Sequence, residues 1–177
     1  MNKIAVFGKP GSGKSTLGQH LCRVLQLPFY PLDSMLYRPD GQRYERPEYE
    51  RLHQQLLLSE RWLIDGLGPL DSFYQRLQAA DTLIYIELPY WQSYWLVTKR
   101  LLKSLWEKPE GWPEGSSVWR GSLESYRYLK LSPRFWNAEF EQRLEKYRPD
   151  KKVYVIRSLA QLKRFVDNYQ QGDYCEK

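Results

Sequence analysis

Apolar residues along this chain fall into five short runs separated by longer stretches of mixed polarity. The runs are Ile4-Ala5-Val6-Phe7, Phe29-Tyr30-Pro31-Leu32, Trp62-Leu63-Ile64, Leu83-Ile84-Tyr85-Ile86 and Val153-Tyr154-Val155-Ile156. Most are continuous rather than alternating, the pattern of strands covered on both faces. Between them the spacing changes to that of helices. Leu17, Leu21, Val24 and Leu25 form one stripe. Tyr49, Leu52 and Leu56 form another, opened by Pro47 with Glu48 and Glu50 nearby. A longer helix is predicted from about Trp91 to Trp106. The Gly-, Pro- and Ser-rich stretch 107–122 reads as a loop. Two more helices are predicted over about Leu123–Leu131 and Pro133–Tyr147, and a last one after Arg157. Strands alternating with helices imply an α/β domain with a parallel sheet and right-handed crossovers.

The length, 177 residues, suits one domain. No apolar run reaches the ~18 residues of a membrane span. The first run is too short for a signal peptide and leads straight into glycines, so a cytoplasmic protein is expected. Cys22 and Cys175 are far apart, which argues against a disulfide framework. Lys and Arg number 27 against 21 Asp and Glu. The excess is uneven: Lys99 to Arg164 holds 16 basic and 8 acidic residues, and six of the seven tryptophans lie between Trp91 and Trp136. That half is either a solvated basic surface over a Trp-containing core or a clamp for phosphate-bearing ligands.

The first run feeds Gly8-Lys9-Pro10-Gly11-Ser12-Gly13-Lys14-Ser15, which satisfies G-x-x-x-x-G-K-[ST]. Glycines let successive N–H groups turn toward one anion, and the following helix aims its positive end at the same point. Gly8, Pro10, Gly11, Ser12, Gly13, Lys14, Ser15 and Thr16 are the candidate nucleotide-binding residues. Lys14 is placed for the β- and γ-phosphates, Ser15 for Mg²⁺ and Thr16 for the α-phosphate. ATP and Mg²⁺ are the expected cofactors.

Carboxylates at strand ends come next, because ligands of open α/β sheets sit there. Asp65, ahead of Gly66, is the candidate for holding Mg²⁺ through water. Asp33 either accepts a proton or hydrogen bond from an acceptor hydroxyl or caps the segment after it. Glu87 reads as structural, and Asp81 as a residue that caps or starts the fourth strand. Arg100 and Arg134 are candidates for neutralising charge on a transferred phosphoryl group. With Lys14 and Asp33 they make up the expected catalytic set. His20 and His53 lack metal-ligand spacing.

These residues, with "GKPGSGKST" (8–16), "PFYPLDSMLYRP" (28–39), "RWLIDG" (61–66), "ADTLIYIELP" (80–89) and "SPRF" (132–135), resemble the adenylate-kinase-like P-loop kinases. Within that group the chain is most similar to the small bacterial proteins labelled "DNA topology modulation". The resemblance covers about residues 3–169. It implies a three-layer P-loop NTPase fold with a five-stranded parallel sheet in 2-3-1-4-5 order and a single domain over 1–170. About 33–60 would then face the acceptor, about 100–134 would form a helical lid, and 171–177 would be a tail. It also implies phosphoryl transfer from a nucleoside triphosphate to a small-molecule or nucleotide acceptor. Adenylate kinases follow the Asp-Gly pair with Phe-Pro-Arg, whereas this chain has Leu67-Gly68-Pro69; AMP is therefore not implied. The alternative is a nucleotide-responsive regulatory ATPase associated with DNA, its aromatic and basic residues engaging nucleic acid.

Overall fold

The computed structural model describes residues 1–38, 40–103 and 118–170, with main chain only for 118–122 and 170. Five strands form one sheet: β1 (Lys3–Gly8), β2 (Phe29–Pro31), β3 (Trp62–Asp65), β4 (Thr82–Ile86) and β5 (Lys152–Ile156). The order is β2-β3-β1-β4-β5, and every pairing is parallel. This is the predicted order.

Alternation explains why the runs are unbroken. On β1, Ile4 and Val6 face one layer while Ala5 and Phe7 face the other. Ile84 and Ile86 on β4 join the first layer, Leu83 and Tyr85 the second. Helices cover both faces, so neither set meets water. The first layer is aliphatic and receives α1 (Lys14–Leu25) through Leu17 and Leu21. The second is aromatic. Tyr85 and Trp136 stack at 5.2 Å, and Trp136 meets Phe140 edge-on at 4.8 Å. Burying such a ring is worth about 1.5–3 kcal/mol, which is how residues 136–144 are held against the sheet. Trp136 is thus core, whereas Trp91 and Trp95 are exposed.

The remaining helices are α2 (Leu32–Met35), α3 (Arg46–Leu58), α4 (Leu70–Ala79), α5 (Tyr90–Lys103), α6 (Val118–Leu131), α7 (Ala138–Glu145) and α8 (Leu159–Gln170). Several differ from the pattern reading. The second strand stops at Pro31, and Leu32 opens a helix. α4 has no counterpart among the predicted helices. The stretch 118–122, expected as loop, belongs to α6. The helix expected from Pro133 is instead a 3-10 turn (Ser132–Arg134) followed by α7, whose N-cap Asn137 accepts from the Phe140 N–H at 3.0 Å. The expected loop over 107–117, the end of the Trp91 helix and the tail 171–177 lie outside the described residues. Among the described residues, no helix is long and apolar enough to cross a membrane.

Candidate active site

β1 delivers the glycine loop at the carboxyl end of the sheet, and α1 starts directly after it. Gly11 and Gly13 have φ of +72° and +85°, which turns neighbouring N–H groups toward one centre. Gly13 is the N-cap of α1 and offers no side chain to its free N–H groups; the first turn holds no acid. The positive helix end is thus left for an outside anion. A Cβ on Gly11 would lie 2.7 Å from both the Ser93 carbonyl oxygen and Val97 Cγ2, so the loop is pressed onto α5.

Lys14 Nζ donates to the Lys9 carbonyl at 2.8 Å and lies 3.5 Å from Ser12 Oγ. Burial lowers its pKa, while Asp65 and then Asp33 oppose the shift; Arg100 adds to it. Ser15 and Thr16 are exposed at the mouth. Asp65, 4% exposed, ends β3 between Val6 and Pro31. Burial raises its pKa, countered chiefly by the Ser15 hydroxyl and Lys14. Asp33 is exposed in the first turn of α2, whose N-cap residue is Pro31, so the capping reading of Asp33 is corrected. Arg100 Nη2 donates to Ser125 Oγ at 2.9 Å. Burial lowers its pKa, and Asp33 and Tyr126 oppose this.

Lys14 is therefore within electrostatic reach of Asp65, Asp33 and Arg100, and Asp33 within reach of Asp65 and Arg100. Arg134 is not among them. It is exposed and borders a shallow depression with Tyr74, Asn137 and Arg143. Ser15 and Asp65 offer oxygen donors, the kind a hard cation such as Mg²⁺ takes. Among the described residues, no cluster of three or more His, Cys, Asp or Glu makes a metal cage. This arrangement fits an ion shared with phosphates.

A groove of about 520 Å³ opens between α3 and the start of α4, bordered by Leu36, Arg43, Tyr44, Tyr49, Pro69 and Leu70; the catalytic candidates do not line it. The 36–44 segment folds over it through Tyr44 N–H to Leu36 O at 3.0 Å and a Tyr37–Arg43 bridge. Arg46 is held by Glu50 and Asp71 at 2.7 Å each, and Arg38 pairs with Glu48.

Sequence reasoning expected a lid over about 100–134 but did not name Ser125 or Tyr126 in it. Ser125 holds Arg100, and Tyr126 bonds Thr98 at 2.6 Å, tying α6 to α5. It also missed Lys9, 3% exposed, whose ammonium sits 4.1 Å from the Tyr90 ring centre. Glu87 is bound to Arg157 at 3.0 Å, and Arg157 also bonds Glu141 at 2.9 Å. This tie joins β4, α7 and the turn after β5. Asp81 accepts from the Asn2 and Lys3 N–H groups where the sheet begins.

No family model matches the chain. A shikimate kinase from Flavobacterium johnsoniae is 33% identical over 79 residues, which is 38% of this chain and 46% of that protein. The match thus spans about half the length of that relative. Among solved structures, shikimate kinase from Acinetobacter baumannii in complex with shikimate aligns with a TM-score of 0.52. Its identity is 15%, over 97% of this chain and 92% of that one. Shikimate kinase from Bacteroides thetaiotaomicron gives 0.49 and 16%, over 95% of both chains. The fold is that of the P-loop kinases. Within it, the glycine loop, Asp33 and Asp65 all stand at the carboxyl edge of the sheet, where such folds place ligands. The comparisons bear on this fold and not on the topology-modulation type.

Proposed function

We propose that the protein is a kinase that transfers a phosphoryl group from ATP·Mg²⁺ to a small molecule held in the groove beside α3. The observation that carries this reading is the grouping of Lys14, Asp33, Asp65 and Arg100 at the mouth of the glycine loop. Bound ATP·Mg²⁺ supplies the transferable phosphoryl group. The N–H groups from Gly8 to Ser15 hold the phosphates, and Thr16 adds a hydroxyl at the α-phosphate. Lys14 leaves the Lys9 carbonyl to neutralise the β- and γ-phosphates. The Ser15 hydroxyl and, through water, Asp65 hold the metal. Asp33, exposed in the first turn of α2, takes the proton of an acceptor hydroxyl. Arg100 offsets charge that develops during transfer. Arg134, exposed beside Tyr74 and Arg143, stands apart from this group.

The groove volume suits a small molecule. The relatives named above are shikimate kinases, and one was solved with shikimate; a hydroxylated small acid is therefore the first acceptor to try. The experiment is ADP release measured across shikimate, other polyols, nucleosides and nucleoside monophosphates. One or more should stimulate turnover, and Lys14→Ala and Asp33→Asn should each remove the stimulation. Failure of every acceptor, with purified folded protein, refutes the kinase reading. The DNA-associated alternative gains no support from the described residues.

A further inference from the structure

The turn after β3 is held from below by a buried arginine. Arg76, on α4, is 1% exposed. Its Nη2 donates to the Gly66 carbonyl at 3.0 Å and to the Leu67 carbonyl at 2.7 Å. Burial pulls its pKa down to about 10, against favourable interactions with Tyr49 and Asp65. A buried charge is expensive unless its hydrogen bonds are met. Here Nη2 gives its bonds to main chain while Nη1, buried, has no hydrogen-bond partner among the described residues, so the guanidinium fixes backbone rather than pairing with one carboxylate.

The opposite side of that turn forms a notch. Gly66 and Gly68 have φ of +107° and +63°. A Cβ on Gly66 would lie 3.1 Å from Leu32 Cβ, and one on Gly68 only 2.1 Å from Leu32 Cδ2. Leu32, fully buried, is therefore seated against both glycines. Leu32 opens α2, and the next residue is Asp33. The Leu32 main chain also favours the ionised form of Asp65. One seat thus touches both carboxylates of the site.

We propose that Arg76 is a positioning residue: it locks the Gly66–Gly68 turn, the turn seats Leu32, and the seated leucine sets Asp33 against Asp65. The proposal deepens the phosphoryl-transfer reading and rests on it for the role of the two acids.

The test uses the full chain with Arg76→Met, which keeps length and removes the donors, and Gly68→Ala, which puts a methyl into the space of the Leu32 side chain while leaving the Arg76 side chain in place. Arg76→Lys keeps the charge with fewer donors and carries the test if the Met variant does not fold. Hydrogen exchange of the ligand-free protein is read over residues 32–36. Both variants should exchange there roughly tenfold faster or more, because the seat no longer holds α2. Calorimetry with a non-hydrolysable ATP analogue is run with and without Mg²⁺. Metal-free affinity should stay within about twofold, while the gain from Mg²⁺ should drop on the order of tenfold, the usual effect of removing outer support from a metal site. Unchanged exchange over 32–36, or acceleration confined to α4, overturns the proposal. So does equal loss of metal-free and metal-dependent affinity, which marks general damage. If the unmodified protein shows no gain from Mg²⁺, the phosphoryl-transfer reading fails, and exchange still decides the role of Arg76.

Discussion

His53 should make the protein acid-sensitive by an amount that follows from its burial. The ring is fully buried on α3, stacked on Tyr49 at 5.8 Å between ring centres, and neither nitrogen has a hydrogen-bond partner among the described residues. Burial, with the Arg76 charge nearby, lowers its pKa from 6.5 to about 4. The unfolded chain takes up this proton below about pH 6.5, and the folded chain only near pH 4. Stability from this group is complete above pH 6.5 and is lost as pH falls toward 4. Linkage over that shift gives about 2 kcal/mol at pH 5, an upper figure because local opening lets water reach the ring. His53→Phe keeps a ring against Tyr49 and removes the titration. Urea unfolding of both proteins at pH 7 and pH 5 isolates the effect, since the carboxylates are common to both. The unmodified protein should lose about 2 kcal/mol more than the variant. Losses that agree within about 0.5 kcal/mol, the usual additivity error, would refute the assignment of His53 as a buried neutral base.

Other outcomes are equally specific. Gly11→Ala should destabilise the protein by about 2–4 kcal/mol in urea unfolding, through its left-handed φ and the collision with Ser93 and Val97; it should also weaken ATP binding. Asn137→Ala should cost about 1 kcal/mol by removing the α7 cap, without altering nucleotide affinity. Arg100→Met should lower kcat for acceptor-stimulated ADP release about 10²–10³-fold, with little change in KM for ATP.

The linear pattern was enough to locate the strands and the glycine loop between β1 and α1. Unbroken apolar runs specify strands covered twice, and a glycine loop between strand and helix specifies an anion cradle, because both signals are local in sequence. The sheet order came from resemblance, since nothing in a strand names its neighbour. The positions of Asp65 at the end of β3 and of Asp33 just past the end of β2 were legible because strand ends announce themselves. Arg76 was not, because only folding brings its guanidinium to the Gly66 and Leu67 carbonyls.

The tryptophans divide in the same way. Composition marked the segment, but only packing put Trp136 between Tyr85 and Phe140 and left Trp91 and Trp95 outside. Arg100 and Arg134 looked alike in the chain. Tertiary structure separated them, setting one beside Lys14 and Asp33 and the other beside Tyr74 and Arg143. Short-range order is written in neighbouring residues. Which charges meet depends on how helices distant in sequence pack, and that is settled only when the whole core closes.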